Sequence, residues 1–405
     1  MGFDTREWLT EHRQTSTLLG ICPMNAEIVR AAFAVAAERG FPPMFIATPR
    51  QVDADRGYTG WSQSELVEFL DTTATEEGYT GPYVVARDHG GPYQSSRDRG
   101  DDSVPLEDAM TYARELFTAD LEAGLDVLHV DATEDPRIDG ILALEEVAER
   151  TADLVGFIEE TRKERGIDPV YYEVGTEEIE GGMTEPENFE RFIELLSEKL
   201  DDVPGPVEQR VVFIVGQVGT TMRIDMTNTF DPEQARELVD IAHREEYELK
   251  VHYTDWLEDN TLATFPEIGI GAANVGPEFA AAIVESLAEL EARERKLVDD
   301  SQERSNVMAT LEDEAVEDAP WEKFVPETVS EDDFDAFAQA NQRNIAVCVG
   351  RYALNNEPVR EARETLYENI RANTDIQPDA FLVESVASAI ERYVDAFDLT
   401  GSLAR

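Results

Sequence analysis

Short, nearly continuous apolar runs alternate along the first three quarters of the chain with longer stretches of helical periodicity. The runs at 18–23, 43–48, 83–88, 127–132, 170–175, 210–216, 249–254 and 268–274 predict eight strands. They are apolar on both faces rather than alternating, the pattern of strands in a parallel sheet covered on each side. Between them, apolar residues recur every three or four positions over 26–39, 105–123, 143–165 and 232–244, and a further such stretch, 277–296, follows the eighth run. Eight strands, each with a crossover long enough for a helix, predict an α/β fold: a (β/α)8 TIM barrel over residues 1–298. The alternative, an open doubly wound sheet, would lead one to expect a Gly-rich dinucleotide or Walker fingerprint after a strand, and none is present. The stretch 299–320 is polar and acidic, so 299–329 reads as an acidic linker. Helical patterns at 330–343, 361–372 and 379–397 predict a small α-helical C-terminal extension, 330–405.

Charge changes the picture more than length does. The 405 residues carry 87 Asp and Glu against 34 Lys and Arg, a formal net charge of −53. Lysine is reduced to Lys163, Lys199, Lys250, Lys296 and Lys323. The acidic residues are spread through patterned segments, which argues against a disordered tail and for a folded surface kept soluble in molar salt, as in a halophile's cytoplasm. A basic face for nucleic acid or an anionic membrane is excluded. No run approaches the length of about 18 apolar residues that a membrane helix needs. Cys22 and Cys348 cannot build a disulfide framework or a Cys-rich metal site, and Cys22, at the end of the first strand, reads as a buried structural thiol.

In a barrel the chemistry sits at the C-terminal ends of the strands. Of five histidines, three fall there: His89 after the third strand, His129 in the fourth and His252 in the seventh. His12 and His243 lie in helical patterns and read as surface residues. The same ends carry Asp88, Asp131, Glu173, Glu177 and Asp255. Imidazoles and carboxylates converging from several strands suit a divalent metal with an open position, with a neighbouring carboxylate orienting a ligand or moving a proton. Lys250 opens the seventh strand and is expected at the barrel bottom, which argues against a Schiff-base mechanism. Gly-rich turns follow the third, sixth and eighth strands: DHGGP (88–92), GQVGTT (216–221) and NVGP (274–277). The helix start after NVGP would offer backbone N–H groups to a phosphate, with Arg223, Arg50, Arg56 or Arg87 as supplementary charge.

Six segments occur in order: QVDADRGYTGW (51–61), ARDHGGP (86–92), VLHVDAT (127–133), VGTEEIEGG (174–182), VHYTDW (251–256) and NVGPEF (274–279). Together they resemble the Z-type subunit family of class II tagatose-bisphosphate aldolase, historically called its non-catalytic subunit, in a haloarchaeal-like member. The resemblance covers roughly 18–295, and a helical C-terminal extension is also a feature of that family. It implies a likeness to class II fructose-bisphosphate aldolases, which are zinc-dependent barrels. On that basis His89, Glu177 and His252 would be metal ligands, with Gln217 a further polar contact. Asp88 would transfer the proton, and Asp131 and Asp255 would stand behind it or touch substrate hydroxyls. Arg223, Gly219, Thr220, Asn274 and Gly276 are the expected phosphate-binding group. The implied cofactor is a divalent metal, zinc first and manganese as the alternative. The implied partners are a phosphorylated sugar, a second copy of the chain or a separate catalytic aldolase subunit. The chain departs from the family at Ile46, Met183 and Asn274, and it lacks a histidine after the sixth strand. The expected activity is reversible retro-aldol cleavage of a tagatose-1,6-bisphosphate-like ketose, or C4 epimerisation. The alternative is a subunit that stabilises a separate catalytic chain.

Overall fold

The computed structural model describes residues 3–176, 183–326 and 328–404. Eight parallel strands close on themselves: β1 Leu18–Ile21, β2 Met44–Ala47, β3 Val84–Gly90, β4 Val127–Val130, β5 Tyr171–Gly175, β6 Val211–Val215, β7 Glu248–Val251 and β8 Ala272–Val275. Strands β1 and β8 pair over four residues, from Leu18 with Ala272 to Ile21 with Val275, so the sheet has no free edge. All eight expected strands are present, and the helices lie where the periodicity placed them, as in Ala26–Arg39 and Pro232–Arg244. Asn25 shows why one helix begins where it does. Its side chain accepts the Ile28 N–H at 3.1 Å, and the helix ends at Gly40 in the left-handed region.

The bottom of the barrel is covered by the helix Thr5–His12. Arg6 donates to the Glu246 carbonyl at 2.9 Å, and Arg13 pairs with Glu248 at 2.6 Å, at the start of β7. Within this helix His12 is buried and stacked on Trp8 at 4.4 Å, contrary to the surface position expected of it. His243 is half-buried and bonded to Glu248 at 3.1 Å.

The segment 299–329, expected as a linker, contains the helix Val307–Asp318. Its Val307, Met308, Leu311 and Ala315 are buried. They form one narrow stripe among acidic residues, so the stretch looks polar by composition and is amphipathic by position. Three further helices, Phe334–Val349, Glu357–Asn373 and Pro378–Ala396, follow the expected C-terminal patterns. This region docks on the barrel: Ile224 N–H donates to the Phe324 carbonyl at 3.0 Å, and Asn355 donates to the Tyr58 carbonyl at 3.1 Å. Both contacts lie above the C-terminal ends of the strands. Among the described residues no helix is long and apolar enough to cross a membrane.

Candidate active site

A cavity of about 580 Å³ opens at the C-terminal mouth of the barrel. Asp88, His89, Asp131, Gln217, Thr220, His252, Asp255, Asn274 and Gly276 all line it, so most of the residues expected from sequence are brought together. Arg223 and Gly219 do not line it. Glu177 lies outside the described residues.

The end of β3 explains how two consecutive residues reach one cavity. In a regular strand Asp88 and His89 would face opposite sides. Here His89 adopts φ +50°, and the register against β4 shifts between Arg87 and Gly90. This bulge turns both side chains to the mouth at the expense of local strain. The glycines that follow serve packing: a Cβ on Gly91 would sit 1.7 Å from the Asp131 carbonyl oxygen. DHGGP therefore lets β3 and β4 approach closely.

The three strand-end histidines converge. Their ring centroids are 5.0 Å apart for His89 and His252, 5.2 Å for His89 and His129, and 5.7 Å for His129 and His252. Asp88, His129, Glu173 and His252, all buried, each offer one ligand atom, and these atoms lie within 4.8 Å of one another. This four-residue group shares His252 with the metal set expected from sequence, and it draws in Asp88, expected there as the proton-transfer residue. His89 stands beside it, with Nδ1 2.8 Å from Asp131 Oδ2 and its backbone N–H donating to His129 Nδ1 at 3.1 Å. That bond engages the lone pair of Nδ1, the nitrogen that also faces Glu173 Oε1 at 3.4 Å, so His129 would bind an ion through Nδ1 only by giving the bond up. Asp131 is further held by Gln94 at 2.8 Å and Thr133 Oγ1 at 2.5 Å, so it orients His89 from behind.

Glu173 and Lys250 make a buried ion pair, Oε2 to Nζ at 2.5 Å, with both side chains inaccessible. Lys250 therefore points into the barrel interior and not to its bottom. Lys250 lies in β7 and His252 one residue past its end, two positions on and on the same inner face, and His129 is in register with Glu173 across β4 and β5. That period-two relation was the sequence signal for placing Glu173 and Lys250 beside the histidines.

Burial works to raise the Asp88 and Glu173 carboxyls, but nearby positive charge outweighs it. Asp88 is held well below the usual range by the charges of His89 and His252 and a bond to His129. Glu173 is brought to about 2, chiefly by Lys250. Asp255 moves the other way. Burial, with the charge of Glu278, pushes it up to about 7, against the N–H groups of Glu278 and Gly276 that it accepts at 2.8 and 3.0 Å. Asp255 thereby occupies the start of the helix Pro277–Leu297, where a phosphate was expected to bind. Cys22 is buried as expected, its thiol pushed up by burial and by Asp88.

The arginines divide. Arg87 is fully buried, bidentate to Asp120 at 2.5 and 2.9 Å, and donates to the Ala47 and Val52 carbonyls; it is structural. Arg56 pairs with Glu65 at 2.7 Å in an exposed contact outside the cavity. Arg50 lines the cavity, together with Arg99, Lys323 and Arg351, which were not anticipated.

A closed parallel barrel with a buried imidazole–carboxylate group at its C-terminal mouth defines a (β/α)8 barrel protein with a candidate metal centre. The solved structures similar to it include a Sinorhizobium meliloti protein described as a probable tagatose 6 phosphate kinase. That structure has a TM-score of 0.78 and 20% identity, covering 94% of this chain and 100% of that one. Fructose-bisphosphate aldolase from Campylobacter jejuni has a TM-score of 0.54 at 11% identity, over 98% and 93% of the two chains. At these identities the likeness is one of fold. The chain belongs to the D-tagatose-1,6-bisphosphate aldolase subunit GatZ/KbaZ-like family, whose model matches residues 6–396. It is also 28% identical over 296 residues to D-tagatose 6-phosphate 4-epimerase from Agrobacterium fabrum, a match spanning 68% of this chain and 66% of that protein.

Proposed function

We propose that this chain is a metal-assisted enzyme of aldolase type that acts on a phosphorylated ketohexose and inverts its C4 centre by reversible cleavage of the C3–C4 bond. The observation that carries this reading is the buried Asp88–His129–Glu173–His252 group, whose Asp88 and His252 line the mouth cavity. Two imidazoles and two carboxylates are a donor set that suits zinc, with manganese as the alternative. Bound there, a divalent ion would supply Lewis-acid stabilisation of the negative charge that develops on the ketose oxygens.

The remaining steps belong to the side chains. Asp88, ionised, has Oδ1 facing the imidazoles and held by Asn274 Nδ2 at 3.3 Å, and accepts the C4-hydroxyl proton on its other oxygen, Oδ2. The C3–C4 electron pair moves to C3 and into the C2 carbonyl, and C4 becomes an aldehyde. Rotation of the retained aldehyde and re-addition on its other face return the proton and invert C4. Release of the aldehyde instead gives the aldolase outcome. Asp131 holds His89 in place, and Asp255 is a cavity acid able to change protonation near neutral pH.

Incubation with tagatose 6-phosphate, followed by ¹³C NMR, tests this reading. Fructose 6-phosphate without free triose phosphate is the expected product, abolished in His252→Ala. Trapped triose phosphate would make the chain an aldolase. No conversion of mono- or bisphosphorylated ketoses, with bound metal intact, would overturn the reading. The family's description as an aldolase subunit favours a second reading, in which the chain stabilises a separate catalytic chain. That reading predicts gain of activity in a co-expressed aldolase, undiminished by His252→Ala.

A further inference from the structure

Arg351 presents a problem of charge. It is 6% exposed, yet among the described residues no carboxylate lies within ion-pairing distance of it. Its guanidinium meets only neutral groups: the Cys348 carbonyl at 2.5 Å, Met222 Sδ at 3.8 Å and the face of Tyr352 at 4.6 Å. A buried cation without a counter-ion is costly. It is more unexpected in a chain with 87 acidic residues, where arginines such as Arg87, Arg150 and Arg162 are paired.

The surroundings add to the positive charge. Arg50, from the loop after β2, lies over the same Tyr352 ring at 4.8 Å and also has no ion-pair partner among the described residues. Lys323 stands exposed at the rim of the same cavity, likewise without one. Arg99 also lines it but is committed to Glu134 at 2.9 Å. Burial alone would raise the Tyr352 phenol, yet the charges of Arg351 and Arg50 hold it below its ordinary value. Tyr58 packs edge-on against Tyr352 at 4.7 Å and steadies the ring between the two guanidiniums. Meanwhile the helix start after NVGP, the expected anion site, is filled by Asp255.

We infer that Arg50, Lys323 and Arg351 bind the phosphate of a sugar phosphate monoester at the rim of the barrel mouth, and that the chain beyond the barrel, residues 299–405, supplies two of the three cations. This deepens the reading under Proposed function and rests on it for the identity of the sugar. The planar guanidinium of Arg351 offers fixed donors suited to phosphate oxygens, whereas Lys323 contributes a mobile charge. The chain beyond the barrel is on this view part of the active site, since the barrel alone brings only Arg50.

The test uses the full chain in molar KCl, with inorganic phosphate as the probe in equilibrium dialysis, and the KM and kcat for tagatose 6-phosphate read beside it. Wild type should bind phosphate. Arg50→Gln and Lys323→Gln should each weaken that binding by about 10- to 100-fold and raise KM more than kcat falls, with Lys323→Arg restoring it. Arg351→Gln should do the same. Because Arg351 is buried, its variant counts only with near-ultraviolet circular dichroism unchanged, and the two rim variants keep the test decisive without it. Phosphate binding lost in these variants while no ketose phosphate is turned over would uphold the site and overturn the proposed function. Turnover with KM and phosphate binding unchanged in all three would overturn the site and leave the function standing. No phosphate binding by wild type would also overturn the site.

Discussion

Lys250 Nζ lies 2.5 Å from Glu173 Oε2 at the centre of the barrel, and the other oxygen of Glu173 is 3.1 Å from His252 Nε2 and 3.4 Å from His129 Nδ1. The lysine is thus the counter-ion that keeps a carboxylate ionised beside two imidazoles. Its strand and that of Glu173 are separated by β6, so the contact exists only because the sheet is curled into a barrel.

Removing the lysine should leave Glu173 as an unpaired buried anion. Lys250→Met is expected to lower the unfolding free energy by roughly 3–5 kcal/mol in urea titrations at constant KCl. The double variant with Glu173→Gln should recover part of that loss. An unchanged midpoint in the single variant would contradict the pairing.

The same geometry argues against covalent catalysis by this residue. Lys250 is held by a carboxylate at 2.5 Å, whereas imine formation needs a neutral, accessible amine. Borohydride treatment in the presence of a ketose phosphate should leave the intact mass unchanged. A reduced adduct mapped to Lys250 would refute the metal-assisted reading.

Metal content is measurable without a substrate. Protein purified in high KCl should carry close to one divalent ion per chain, and Asp88→Asn and His252→Ala should each lose most of it, by inductively coupled plasma mass spectrometry. The geometry favours His129 as the third donor, so His129→Ala should lose more metal than His89→Ala. Loss confined to His89→Ala would restore the ligand set expected from the sequence, and full metal content in Asp88→Asn and His252→Ala would remove the centre.

Glu159 supplies a pH dependence. Burial opposes its ionisation, but Arg162 at 2.6 and 2.7 Å, Tyr172 at 2.7 Å and Arg210 at 2.7 Å prevail and bring it from 4.5 to about 2. A carboxyl lowered on folding contributes stability that is complete above its unfolded value and is lost as pH falls through the folded one. Its contribution, up to about 3 kcal/mol, should therefore disappear between about pH 4.5 and pH 2. Glu159→Gln should destabilise at pH 7 and flatten that part of the acid-denaturation curve; an unaltered curve would deny Glu159 this role.

The net charge of −53 makes a separate prediction. Below about 1 M KCl self-repulsion is screened over a longer range and the fold should loosen, seen as loss of far-ultraviolet circular dichroism. Retention of the full signal in dilute buffer would remove the halophilic reading.

The strands and most helices were legible in the chain because burial on both faces of a parallel sheet and one face of a helix leave local, periodic signatures. The strand-end residues Asp88, His89, Asp131, His252 and Asp255 were legible too, since a barrel places such positions at one mouth. The helix Val307–Asp318 was hidden because its buried stripe is narrow and the rest of it acidic.

Sequence by itself determined the eight-fold alternation, the acidic surface and the group of residues at the mouth. Only the tertiary structure decided which of them touch. Closure of the barrel paired Lys250 with Glu173 and set Glu173 beside His129 and His252, and the bulge at His89 turned two neighbours into one cavity. Docking of the chain beyond the barrel carried Arg351 and Lys323 to the rim, some 270 to 300 residues along the chain from Arg50. Such contacts depend on side-chain direction and on long-range packing, neither of which is written in the local order of residues.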